Sequence, residues 1–260
     1  MTDMTKKFIY TLSYSFLFFA CTESQQAPSD QLEISWNPLP DYHYYLYTPE
    51  KGTLPAGKSD YNFSNGESSA IYPWDTKGIE LYGLALDNQA TEHGIYPEAT
   101  PQGFVHLKLS GQNISPTYNE ILLAKPQSVK AGEAKVRLEF KPGMSLLYID
   151  IEGASEYQFD IRIEAVEDGY IDLQKGEVIA DGKIKEIYFS SAGRSVPVIP
   201  QTLASDTKIY ITGRSSDGQM VRTNYPLTDL VLKSNRKYTW IFGLDSGKLT
   251  FRKFSETPRK

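Results

Sequence analysis

The one exact motif match in this sequence is Gly52-Thr53-Leu54-Pro55-Ala56-Gly57-Lys58-Ser59, the spacing of a phosphate-binding loop. Such a loop works only where a helix starts directly after the Lys-Ser pair, so that backbone N–H groups and a positive dipole end meet the phosphates. Here Asp60-Tyr61-Asn62-Phe63-Ser64-Asn65-Gly66 follows, which will not start a long helix. The chain also lacks the crossover helices of a parallel α/β sheet, so Leu146 to Asp150 is no metal-binding partner strand and the match reads as a surface loop. His43, His93 and His106 fall in no HExxH or HxH spacing, and there is no GxSxG elbow. Glu164, Glu167, Asp168 and Asp172 could be drawn as calcium ligands, but no ligand register fits them, and the solvent face of a strand plus a turn aspartate explains them. Tyr42, Tyr44, Tyr45 and Tyr47, with Trp36 and Trp74, could stack sugars. Alternate side chains leave opposite faces of a strand, so Tyr42 and Tyr44 share one face, Tyr45 and Tyr47 the other, and packing is the better reading. Trp36 and Trp74 are kept as candidate glycan or partner contacts. No catalytic, cofactor-binding or metal-binding set emerges, so the sequence reads as a non-enzyme without a cofactor.

What must position such residues is set by composition. In 260 residues, 18 tyrosines and 12 phenylalanines with 15 prolines and 19 glycines favour short strands and turns, an all-β class. A net charge of −5 offers no basic surplus for phosphates, which argues against nucleic-acid partners. The single cysteine, Cys21, excludes an intramolecular disulfide and any CxxC site. It follows Lys6, Lys7, an apolar run through Phe19 and the small Ala20, the order of a secretory signal. The run resembles a bacterial lipobox, which implies cleavage between Ala20 and Cys21, lipid on the Cys21 sulfur and palmitate on the mature terminus. Two or three acyl chains anchor stably where one does not.

Beyond the polar tether, period-two alternation marks half-buried antiparallel strands. It is clearest in Tyr157, Phe159, Ile161, Ile163 and Ala165, and recurs in Val136–Phe140, Val105–Leu109 and Tyr238–Leu244. Asn65-Gly66, Asp168-Gly169, Asp181-Gly182 and Asp217-Gly218 supply hairpin turns. Tyr118 to Lys125 has room for one or two helical turns. The expected division is a signal peptide over 1–20, a lipid-anchored tether over 21–30, a β-sandwich over 31–124, a linker over 125–133 and a second β-sandwich over 134–260.

Several segments come in a telling order: Tyr72-Pro73-Trp74 with Ile79 to Leu86, then Asn119 to Ala124, Val136 to Lys141, Val198-Ile199-Pro200-Gln201 and Arg236 to Trp240. Together they resemble fimbrillin-like proteins, the pilins and pilus-associated lipoproteins of the Bacteroidetes type V system. The resemblance implies two tandem transthyretin-like antiparallel β-sandwich domains after a lipoprotein signal, cell adhesion, and a lipid-anchored, surface-exposed place at the cell outer membrane in a fimbrium. It implies other pilus subunits as partners through β-strand addition (donor-strand addition), with host glycans or proteins as further contacts. In stalk subunits of the family an arginine-specific protease removes the first strand. Here the eight arginines begin only at Arg137, and Lys51 and Lys58 are the nearest basic processing sites. An accessory, tip or anchor subunit therefore fits better than a main stalk, and the tail after Lys248 reads as only a short strand. The alternatives are a carbohydrate-binding outer-membrane lipoprotein for glycan uptake and, last, a hydrolase with carboxylates on distant strands.

Overall fold

The computed structural model describes residues 31–37, 39, 42–47, 59–61, 68–73, 78–87, 100, 103–108, 121–189 and 192–259. Ala20, Cys21, Lys51, Lys58 and Trp74 lie outside the described residues. Every regular element among those residues is a strand. One three-stranded sheet runs β4 (Ser68–Pro73), β1 (Gln31–Trp36), β8 (Lys135–Leu138). A five-stranded sheet runs β3 (Ser59–Tyr61), β2 (Tyr42–Tyr47), β5 (Ile79–Asp87), β7 (Ile121–Val129), β9 (Phe140–Pro142). A further three-stranded sheet joins β13 (Glu177–Ala180), β12 (Asp168–Asp172) and β6 (Phe104–Lys108).

The C-terminal sandwich pairs two four-stranded sheets. One is β15 (Arg194–Val198), β10 (Ser145–Glu152), β20 (Arg236–Asp245), β21 (Lys248–Pro258). The other is β14 (Ile184–Phe189), β11 (Tyr157–Val166), β17 (Lys208–Ser215), β18 (Met220–Pro226). A short ribbon of β16 (Gln201–Thr202) and β19 (Val231–Leu232) completes the set. Leu147, Ile149, Ile161, Ile163, Ile209, Ile211 and Trp240 fill the core between the two large sheets.

The five-stranded sheet is buried on both faces. Tyr44, Leu46, Leu81, Ala85, Leu122 and Ala124 pack with Leu32, Ile34 and Trp36 of β1. Tyr45, Tyr47, Tyr82, Leu84, Leu86, Ile121 and Leu123 point the other way, onto Val105, Ile171 and Val178. A strand covered on both faces needs no polar alternation, which is why Tyr44 to Tyr47 and Leu81 to Leu86 read as continuous apolar runs.

Several expectations are corrected. The linker expected at 125–133 begins as strand, because β7 continues to Val129. Pro126 sits where the β5–β7 register slips, between the pairs Leu81–Gln127 and Gly83–Ala124, so the ladder loses nothing by its missing N–H. From Ile121 onward the same strand stands where helical turns were allowed at Tyr118 to Lys125, and Tyr118 to Glu120 lie outside the described residues. Not all pairs are antiparallel: β1 with β8, and β10 with β20, are parallel. Asp168-Gly169 is no turn but lies in β12, where a Cβ on Gly169 would sit 2.2 Å from the Ile179 carbonyl oxygen. Only glycine lets those backbones approach. The hairpin of β12 and β13 comes from the C-terminal half of the sequence, yet it pairs with β6 and packs on the five-stranded sheet.

Candidate functional site

Two strands carry the features that assembly by strand addition would use. The first is β1. It lies between β4 and β8, so both of its backbone edges are paired. Leu32, Ile34 and Trp36 alternate inward, with Trp36 only 1% exposed and its ring 5.6 Å from that of Tyr44. The Tyr44 hydroxyl in turn accepts from Leu39 N–H at 2.7 Å, which ties the chain after β1 to β2. Outward, Glu33 faces Lys135 at 2.8 Å, and this carboxylate raises the ammonium pKa of Lys135 above its ordinary value. Arg137 donates to Asn37, and the Glu33 N–H donates to the Ala134 carbonyl at 2.8 Å. Ladder, core and rim thus hold one six-residue strand in place.

The second strand is β21. It is paired on one side by β20, and no strand is paired on its other side among the described residues. The tail expected to be a short strand is instead eleven residues long. Neighbouring β20, rather than the tail's own weak alternation, holds it extended. A register shift at Ile241/Phe242 turns Arg252 across Gly243, where it reaches Glu152 at 2.7 Å and Asp245 at 3.0 Å. Those carboxylates raise the guanidinium pKa, the Asp245 hydrogen bond contributing most. A bulge plus an edge Arg-Lys pair is a common guard against unplanned strand pairing. Phe251 and Phe254 point inward but remain 40% and 41% exposed, because the sandwich is open at this rim. Phe251 stacks on Tyr225 at 4.3 Å and Phe254 tilts on Trp240 at 5.2 Å.

Other residues singled out in the sequence find different places. Trp36 is a core residue and offers no sugar platform, a correction that follows from β1 being covered by the five-stranded sheet. Tyr44, Tyr45 and Tyr47 are likewise buried, on the two faces their spacing assigns. The supposed phosphate loop runs into β3 at Ser59, so Lys58-Ser59 leads into a strand and not a helix. Glu167 and Asp172 are not on a solvent face: they are 4% and 3% exposed. Asp172 binds Lys175 at 3.0 Å, and Glu167 binds Lys185, whose pKa it raises. The Val198 to Gln201 segment acquires a role that spacing did not show. The Gln201 amide donates to the Val166 and Ile199 carbonyls and accepts from Val166 N–H, standing in for a strand partner where β11 leaves its sheet.

No family model and no curated protein sequence matches this chain. Solved structures do. A candidate cell adhesion protein from Bacteroides ovatus superposes with a TM-score of 0.61 at 14% identity, over 88% of this chain and 97% of that one. One from Bacteroides uniformis gives 0.63 at 11%, over 89% and 100%. The tip fimbrial protein Mfa3 from Porphyromonas gingivalis, solved with a C-terminal truncation, gives 0.56 at 10%, over 88% and 99%. Identity this low carries architecture rather than activity. The chain therefore has the all-β fold found in these Bacteroidetes cell adhesion and fimbrial structures.

Proposed function

We propose that this protein is an adhesive fimbrial subunit of the cell surface, an accessory, tip or anchor component that keeps its first strand and is held at the outer membrane by lipid on Cys21. The observation that carries the reading is the setting of β1. Leu32, Ile34 and Trp36 are core residues, and both edges of the strand are hydrogen-bonded. No lysine or arginine lies between Lys7 and Lys51, so a protease specific for basic residues has no site between β1 and β2. Cutting at Lys51 or Lys58 would release both strands or neither, and β2 is buried within the five-stranded sheet. A subunit that keeps β1 offers no empty slot for a neighbour's strand, which suits the end of a fibre better than its middle. Its partners are other pilus subunits, to which it would contribute a strand rather than accept one.

The test is the mass and N-terminus of protein extracted from the cell surface. An acylated terminus at Cys21 with β1 present is expected, together with palmitate labelling that vanishes in Cys21→Ser. A mature N-terminus at Lys51 or Lys58 without lipid would overturn the reading in favour of a polymerising stalk subunit.

A further inference from the structure

One face of the C-terminal sandwich gathers cations on a chain whose net charge is −5. It is the solvent face of the sheet of β14, β11, β17 and β18. Ile161, Ile163, Ile209, Ile211 and Val221 point into the core, so the residues between and beside them point outward. Ladder pairing sets these outward residues in rows. Arg162 lies beside Tyr210 and Tyr210 beside Asn224, with Thr212 beside Arg222 in the next row. A trough of about 440 Å³ lies over these five, within the range of small-molecule sites, about 300–1,000 Å³.

The two arginines are held differently. The Arg162 guanidinium carbon sits 5.1 Å from the centre of the Tyr210 ring, and Glu186 accepts from this group at 2.5 Å. The Tyr188 hydroxyl donates to the other oxygen of Glu186, which fixes that carboxylate. Arg162 is therefore ordered and its charge is offset. Arg222 is exposed and has no carboxylate within ion-pair reach among the described residues. Because β11 and β18 run two ladder spacings apart, roughly 10 Å, both guanidinium groups can meet one ligand above β17. On this face β17 and β18 also carry Lys208 and Arg214 and no carboxylate, whereas its acids, Asp160, Glu164 and Glu186, stand on β11 and β14.

We infer that this trough binds an acidic saccharide, one whose ring carries a carboxylate or a sulfate ester. Guanidinium forks match the paired oxygens of either anion. The Asn224 amide and the Thr212 hydroxyl both donate and accept, as the hydroxyls of a sugar require. The side chains lining the trough include two guanidinium groups and no carboxylate, and with Glu186 offsetting Arg162 one positive charge is left for the ligand to neutralise. An extended acidic peptide fits less well. β17 is paired on both edges, so the trough holds no free main-chain ladder for a peptide to join. The inference gives the adhesive reading a ligand class and rests on that reading only for where the saccharide is met.

The experiment is titration calorimetry of the full mature chain at low salt. Sialyllactose and trigalacturonic acid are the carboxylate probes and a carrageenan tetrasaccharide the sulfate probe. Lactose and maltotriose are the neutral controls, with hexaglutamate and inorganic sulfate as acids that are not sugars. Saturable binding of at least one acidic saccharide is expected, weakening as salt is raised, with none of the neutral pair. Arg222→Ala should weaken it at least about tenfold by removing a charge-assisted hydrogen bond, and Asn224→Ala about fivefold. Both side chains are exposed, so neither variant disturbs the core. No saturable binding of any acidic saccharide, equal binding of lactose, or undiminished binding in Arg222→Ala would each overturn the inference. So would hexaglutamate or inorganic sulfate binding as tightly, which would mark an acidic-peptide site or an adventitious ion only. Because the titration needs no assembly, it can fail while the fimbrial reading stands, and the reverse.

Discussion

The five-stranded sheet near the N-terminus is covered on both faces, whereas each large sheet of the C-terminal sandwich turns one face to solvent. The contrast is written in the burial of single strands. Seven consecutive residues of β5, from Leu81 to Asp87, are buried, while β10 alternates strictly from Ser145 to Ile151. The second cover on the N-terminal sheet is the β12–β13 hairpin, lent by the C-terminal half. The lesson is that the two halves are not independent. The N-terminal core is completed by a segment that arrives about sixty residues later, past β10 and β11, and the join where β11 leaves its sheet is held by Gln201 and by Lys185 on Glu167 and Asp168.

The sharpest way to break this picture is Ile171→Asp, which places a charge at a fully buried point between hairpin and N-terminal sheet. A loss of ~5 kcal/mol is expected. Hydrogen exchange should show β2 and β5 losing protection while β11 and β17 keep theirs; the opposite order would assign the hairpin to the C-terminal sandwich. Trp36→Ala comes next, at ~3–5 kcal/mol in chemical denaturation, against a similar cost for Trp240→Ala in the other core. A cost below 1 kcal/mol for Trp36→Ala would contradict a retained, packed β1. Gln201→Ala removes three hydrogen bonds to the backbone and should cost ~1–3 kcal/mol, read as a lower melting temperature.

Alkaline titration separates the regions more gently. Burial raises the pKa of Tyr44, Tyr47 and Tyr82 in the N-terminal region, and of Tyr238 in the sandwich, above the ordinary 10.0. A raised tyrosine keeps its proton when folded, so its contribution is complete below pH 10.0 and is lost as pH rises beyond it. The sandwich has a second such group in Tyr148, but the largest shift belongs to Tyr47, so the N-terminal strands should unfold first above that pH, followed by tyrosinate absorbance at about 295 nm beside hydrogen exchange. The smallest effect belongs to the open rim: Phe254→Ser, at a side chain 41% exposed, should cost about 1 kcal/mol.

Much of the fold was legible because period-two alternation is local. The spans of β6, β11 and β20 match the alternating runs at Val105, Tyr157 and Tyr238 to within a few residues. Where both faces are buried the period vanishes, and Ile121 to Val129 was therefore misread as a helical turn running into a linker. Pro126 and Ser128 look like linker residues, and only the slipped pairing opposite Tyr82 makes them acceptable in a strand. Of the candidate contact residues, Trp36 went wrong because a tryptophan two residues beyond Ile34 is equally compatible with a core strand and an exposed platform. The alternation of Tyr157 and Phe159 marks them as core-facing, and both pack partly buried against the core at the open end of the sandwich.

Residue order alone settled the strand-rich class, the single thiol at Cys21, and the run without arginine before Arg137 that leaves no basic cutting site between β1 and β2. These depend on composition and near neighbours, which a linear chain displays in full. The partner of each strand, the parallel pairing of β1 with β8, the insertion of β12 and β13 over the N-terminal sheet, and the trough between Arg162 and Arg222 came from the folded chain. They depend on contacts between residues tens to a hundred positions apart, whose choice rests on which faces can be buried together and not on any local period.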